Sequence, residues 1–140
     1  MEPKVIAGNG PIVMVDDGDM DFFIARTCYE RSRLGNELIR CASGQAFLAF
    51  LNNCLESGAP LPALVLLDIN MPGMDGFDTL AAVRSREEFK EIPIISMLTN
   101  SDSARDRNQS LELGANAFFT KPMDLKDYIA FFDSLIDRLS

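Results

Sequence analysis

The chain contains no histidine and no tryptophan, and its three cysteines, Cys28, Cys41 and Cys54, stand far apart. The missing histidine excludes a Ser-His-Asp triad, a Cys-His pair and every imidazole metal ligand. The cysteines are odd in number and form no C-x-x-C pair, so they read as neither a disulfide framework nor a zinc site. Their expected role is that of small buried apolar side chains. Positive charge is also scarce. The 13 basic side chains against 21 acidic ones leave a net charge of −8, which argues against bulk binding of DNA, RNA or an anionic membrane. No apolar run approaches a membrane span, and no basic segment followed by an apolar stretch opens the chain. A soluble, cytoplasmic protein is expected, with chemistry that rests on carboxylates, hydroxyls, lysine or thiols.

What is present fits one domain. The 140 residues, 47% hydrophobic and 24% charged, suffice for one core and not for a second large one. Residues 1–10, with Gly8, Asn9 and Gly10, read as a flexible tail, and residues 11–140 as the domain. Within it, Ile12-Val13-Met14-Val15, Leu64-Val65-Leu66-Leu67 and Ile94-Ile95-Ser96-Met97-Leu98 are short continuous apolar runs. Runs of this kind suit strands buried on both faces of a parallel sheet. Leu38-Ile39-Arg40-Cys41 and Ala117-Phe118-Phe119-Thr120 are weaker and are expected nearer the sheet edges.

Helical patterns separate the runs. Ser43 is placed to cap one helix, with Phe47, Phe50, Leu51, Cys54 and Leu55 on its inner face and Gly58 at its end. Asp124 is placed to cap the last, where Leu125, Ile129, Phe132, Ile136 and Leu139 recur at helical spacing. Tyr128, Phe131 and Leu135 form a second apolar strip on that helix, either a contact surface or a more deeply buried face. From Ser103 to Leu113 the apolar stripe is thin, which predicts a weakly packed helix. Strand and helix alternating five times predict a doubly wound α/β domain.

Three carboxylates stand out by position. Asp16 and Asp17 follow the first apolar run, and Asp68 follows the third. In a parallel sheet these are the carboxyl ends of strands, where ligands bind in the crevice at which strand order reverses. Three carboxylates converging there repel one another, at roughly 4 kcal/mol per pair for charges about 4 Å apart in an effective dielectric near 20. A divalent cation relieves that repulsion, and hard oxygen ligands suit Mg²⁺. Thr99 follows the fourth run, and Lys121 follows the fifth and precedes Pro122. A hydroxyl and an ammonium facing an acidic crevice make sense if a phosphoryl group is held there.

These residues, with their surroundings, resemble the receiver domain of bacterial two-component response regulators. The matching segments are Val15-Asp16-Asp17, the run from Leu66 through Asp68, Asn70, Pro72, Gly73 and Asp75 to Gly76, then Leu98-Thr99, and Gly114 through Lys121-Pro122. The resemblance covers residues 11–139. It implies the flavodoxin-like fold, a five-stranded parallel sheet of order 2-1-3-4-5 with five helices. It further implies that Asp68 is the phosphoacceptor and that Asp17, Asp68 and the Asn70 backbone carbonyl ligate Mg²⁺, with Asp16 acting through water. Lys121 would pair with the phosphoryl group, and Thr99 and Phe118 would form the switch. The Lys121–Pro122 peptide is expected to be cis by the same resemblance. Finer features of the Thr120–Leu125 segment are similar to regulators paired with bacterial phytochromes.

Some positions depart from the pattern. Gly18 and Asp19 follow the acid pair where relatives have an acid or Asn and then Pro, but Asp19 or Asp21 still opens a helix. Asn100 is larger than the small residue usual after the threonine, which predicts narrowed water access and slow to moderate dephosphorylation. Phe22 and Phe23 open the first helix near Asp17, one expected in the core and the other where a phosphodonor docks. That donor would be a sensor histidine kinase or a histidine phosphotransfer protein. No output module is expected after Leu139, so output would pass by contact with a downstream protein, and a homodimer is a further expectation. The chain would catalyse only its own phosphorylation and dephosphorylation. A phosphatase of the haloacid-dehalogenase type is the alternative enzyme class, but it needs an acid two residues after its nucleophile, and Asn70 stands there. A scaffold that is never phosphorylated predicts loss of Asp17, Asp68 or Lys121, and all three are present.

Overall fold

The apolar runs become strands, and their burial follows their composition. The computed structural model describes residues 10–139. Strands β1 (Ile12–Val15) and β3 (Leu64–Leu67) are buried at all four positions, as a strand covered on both faces must be. β2 (Leu38–Cys41), β4 (Ile94–Thr99) and β5 (Ala117–Thr120) complete one sheet of order β2-β1-β3-β4-β5, every pair parallel. The two weaker runs, β2 and β5, are the edges, as expected. The helices are α1 (Asp19–Arg31), α2 (Gly44–Ser57), α3 (Gly76–Arg84), α4 (Ala104–Glu112) and α5 (Leu125–Leu139), with a short 3-10 turn at Glu87–Phe89.

Side chains alternate along each strand, so the sheet feeds two cores. Val13, Val15, Val65 and Leu67 pack with Phe47 and Leu51 of α2 and Leu80 and Val83 of α3. Ile12, Met14, Leu64 and Leu66 pack on the other side with Ala25, Cys28 and Tyr29 of α1 and Tyr128, Phe132 and Leu135 of α5. Local chemistry sets the helix ends. Ser43 Oγ accepts from the Ala46 N–H at 3.0 Å, and Gly58 ends α2 at φ 75°, a left-handed cap that glycine adopts without a Cβ clash. Asp124 Oδ1 accepts from the Asp127 N–H at 2.7 Å. Asp75 and Asp78 form a reciprocal capping box at the start of α3.

One open alternative is resolved and one boundary moves. The second apolar strip of α5 is no free surface: Tyr128 and Leu135 are buried, and Phe131 packs edge-on against Phe119. The reason is tertiary. α5 sinks beside α1 over the sheet, and Tyr128 stacks on Phe132, which meets Tyr29 edge-on. Gly10 belongs to the packed domain rather than to the tail. Its carbonyl accepts from Asn36 Nδ2 at 2.7 Å, and a Cβ there would meet the Leu61 carbonyl. The rest of the expected tail, residues 1–9, lies outside the described residues. The three cysteines are buried free thiols, as expected, and α4 buries only Ser110.

Candidate functional site

The carboxyl edge of the sheet gathers the singled-out residues. Val15 of β1 and Leu67 of β3 are register partners, so the residues that follow them stand side by side. The main chain locks this arrangement: the Asp68 N–H donates to the Val15 carbonyl at 3.0 Å and the Asp16 N–H to the Cys41 carbonyl at 3.1 Å. Across the sheet, the Lys121 N–H donates to the Thr99 carbonyl at 2.7 Å. Asp16, Asp68, Thr99 and Lys121 are buried, while Asp17 is exposed. Asp16, Asp17 and Asp68 each offer a carboxylate oxygen, and the three lie within 4.8 Å of one another.

Lys121 is the hub. Its Nζ donates to Asp16 Oδ2 at 2.8 Å and to Asp68 Oδ2 at 3.3 Å, bridging the acids of two strands from a third. It also reaches Asp21 Oδ2, on the first turn of α1, at 3.3 Å. Burial pushes the Lys121 ammonium down, but the hydrogen bond to Asp16 and the charges of Asp68, Asp16 and Asp21 outweigh it, so its proton is held more tightly than usual. Asp68 is raised above the ordinary carboxylate range. Burial is the main cause and the Asp16 charge adds to it, while Lys121 and the Thr99 hydroxyl hold the shift back. Asp16 Oδ1 accepts from the Gly18 N–H at 2.9 Å, which aims that carboxylate within its own loop.

Gly76, the first residue of α3, makes a close approach. A Cβ at this position would meet the Asp68 carbonyl and lie 2.7 Å from the Ile69 Cα, so only glycine lets α3 start against the Asp68 strand end. The Asn70 N–H donates to Asp68 Oδ1 at 3.4 Å. Phe118 is buried, and the Arg107 guanidinium of α4 lies 5.0 Å from its ring centre. Phe22 packs into the core and Phe23 is exposed, a division the sequence implied without saying which was which.

One expectation for the site fails. The described residues contain no cis peptide bond, so Lys121–Pro122 is trans. The lysine needs no special peptide to reach the acids, because its long side chain spans to Asp16 and Asp68 while its N–H stays tied to the Thr99 carbonyl. Two neighbours of the site were not legible as such. From sequence Asp21 reads only as a helix opener, although its place one turn after Asp17 puts it near the same edge. Arg40 gave no signal, being the polar residue of an edge strand.

The donor set suits a divalent cation: three hard carboxylate oxygens in one small space, offset in part by the Lys121 ammonium. The family model for the response regulator receiver domain matches residues 12–133. The chain is 36% identical over 126 residues to the response regulator Rcp1 of Synechocystis sp., which spans 89% of this chain and 81% of that relative. It resembles the solved Mn²⁺-bound form of Rcp1 at 33% identity and a TM-score of 0.75, over 95% of this chain and 91% of the other. It also resembles the phosphorylated cyanobacterial phytochrome response regulator RcpA at 26% identity and a TM-score of 0.81, over 94% of each chain. Phosphorylation of an aspartate is the general mechanism of such domains. On the family match, the relative and the shared fold, the chain belongs to the response regulator receiver domains of two-component signalling.

Proposed function

We propose that Asp68 is the phosphoacceptor and that the other residues at this edge prepare it. The observation that carries this is the Lys121 ammonium seated between Asp16 and Asp68. A carboxylate oxygen of Asp68 attacks the phosphorus of a phosphohistidine donor, the P–N bond breaks, and the electron pair stays with the imidazole nitrogen. The product is an acyl phosphate on Asp68. Lys121 then follows the phosphoryl oxygens as a point charge, and the Thr99 hydroxyl donates one hydrogen bond to them. Phe118 follows Thr99. Asp17, Asp68 and the Asn70 carbonyl are the residues that would hold Mg²⁺, with Asp16 acting through water. When bound, Mg²⁺ neutralises charge on the transferring group. Hydrolysis reverses the state by attack of water on phosphorus.

Exposed apolar side chains support a docking site for such a donor beside the acids. Met20, Phe23 and Met123 are exposed apolar residues on α1 and on the loop after β5, which flank the acids. A helical histidine phosphotransfer surface or a sensor histidine kinase fits this apolar rim. Solved relatives include a cyanobacterial phytochrome regulator and the bacteriophytochrome response regulator AtBRR, at 31% identity and a TM-score of 0.74 over 99% of this chain and 96% of the other. A phytochrome-type sensor kinase is therefore the first donor to try. Among the described residues no helix is long and apolar enough to cross a membrane, and a cytoplasmic chain receiving phosphate from a kinase and passing the signal to a downstream protein accords with this.

Acetyl phosphate with Mg²⁺ tests the reading. The chain is expected to gain one acid-stable, base-labile phosphoryl group, and Asp68→Asn to gain none. Uptake that persists in D68N would move the acceptor elsewhere. Continuous release of phosphate from phosphomonoesters would make the chain a phosphatase instead.

A further inference from the structure

We infer that Arg40 is a positioning residue for the acidic pair, acting through the loop between β1 and α1. Arg40 is the register partner of Met14, so β2 carries it alongside β1 towards the same edge. Its Nε donates to the Asp16 carbonyl at 3.2 Å. The next residue, Cys41, accepts from the Asp16 N–H at 3.1 Å. Two consecutive residues of β2 thus hold both polar main-chain atoms of Asp16. The remainder of the guanidinium grips α1. Nη1 pairs with Asp19 Oδ1 at 2.9 Å, and the group lies 5.2 Å from the Phe22 ring centre.

Asp19 and Phe22 are three residues apart and share one face of the helix. That grip matters because the N-cap residue, Gly18, has no side chain to cap with. Arg40 therefore sets the height of the acid loop and the position of the first turn of α1, which carries Asp21 to Lys121. The Asp19 end of the clamp is almost fully exposed, so its ion pair alone is weak. The bond to the Asp16 carbonyl and the stacking on Phe22 carry the effect. The Nη2 atom is buried, with no hydrogen-bond partner among the described residues.

Charge and position predict opposite outcomes, which makes the test sharp. Arg40 is a cation beside an acidic cluster. If it acted through charge alone, removing it would tighten divalent-cation binding. If it positions Asp16 and Asp17, removing it loosens binding, as the loss of groups that orient ligands does.

The experiment is a calorimetric Mg²⁺ and Mn²⁺ titration of the wild type, Arg40→Met and Arg40→Lys, beside acetyl phosphate phosphorylation at graded Mg²⁺. R40M is expected to raise the dissociation constant about tenfold. R40K keeps the charge but lacks the planar fork, and is expected to fall on the same side. The Mg²⁺ needed for half-maximal phosphorylation should rise by the same factor, with the rate at saturating Mg²⁺ staying within about twofold. Tighter or unchanged binding in both variants overturns the inference. Should R40M fail to fold, R40K decides alone. The inference rests on the acids being a cation site. A wild type that binds no divalent cation sinks that reading, whereas a binding wild type with indifferent variants sinks only the role of Arg40.

Discussion

Lys121 concentrates the energetics of the site in one side chain. Its ammonium meets two buried carboxylates and one half-exposed one, so truncating it strands Asp16 and Asp68 without a counter-charge. Lys121→Met is expected to lose about 3 kcal/mol of stability in EDTA, measured by urea unfolding, and to recover part of it in Mg²⁺. A loss that Mg²⁺ leaves untouched would mean that the lysine packs rather than neutralises. The Cys41 side chain, which packs in the core, gives a second test. Burial, with the neighbouring Cys54 adding to it, pushes its thiol up to about 11 from an ordinary value of 9.0. The folded state therefore keeps the proton more firmly than the unfolded chain. The resulting stabilisation is complete below pH 9 and disappears as pH rises towards about 11, with a span on the order of 2 kcal/mol. Comparing unfolding of the wild type and Cys41→Ala from pH 8 to 11 isolates it. The stability gap should shrink through that window, and a constant gap would refute the burial argument.

The elements differ in what anchors them. α5 is sealed by an aromatic cluster of Tyr29, Tyr128, Phe131 and Phe132, whereas α4 buries a single serine and relies on its Ser103 cap and on the Ser101–Asp106 hydrogen bond at 2.6 Å. Amides of α4 should exchange with solvent well before those of α5, and Ser103→Ala should cost about 1 kcal/mol and widen that difference. Equal protection in a hydrogen-exchange time course would contradict it. The thin stripe of α4 was legible in sequence because amphipathicity is local. So were the buried strands, and the caps at Ser43 and Asp124, whose side chains satisfy backbone a few residues away. The fate of the second strip on α5 was not legible. Tyr128 and Leu135 read as surface or core with equal right, and only packing against α1 decides. The site divides in the same way. Asp16, Asp17, Asp68, Thr99 and Lys121 each follow or end a strand and could be placed once parallel order was assumed. Arg40 and Asp21 matter because of where neighbouring elements carry them, and that depends on side-chain paths across β2 and α1.

At the scale of the whole molecule, a net charge of −8 in one domain means that the acids at the sheet edge are held against a general repulsion as well as their own. Any cation that binds the folded site and not the unfolded chain stabilises the fold by mass action, by about 2.7 kcal/mol at a hundredfold excess over its dissociation constant. Stability should therefore climb with the logarithm of Mg²⁺ concentration at constant ionic strength, where general screening is fixed. Asp17 separates the specific effect from the general one. It is exposed and takes no part in the Lys121 bridge, so Asp17→Asn should leave metal-free stability equal or slightly higher through relief of repulsion. In the same variant the Mg²⁺-dependent climb should largely vanish, because one of the three converging oxygens has become a neutral amide. Thermal melts across a Mg²⁺ series decide the matter. A D17N protein that still stabilises with the wild-type slope would show that the gain comes from diffuse neutralisation of an acidic chain, and the acidic edge would lose its standing as a cation site.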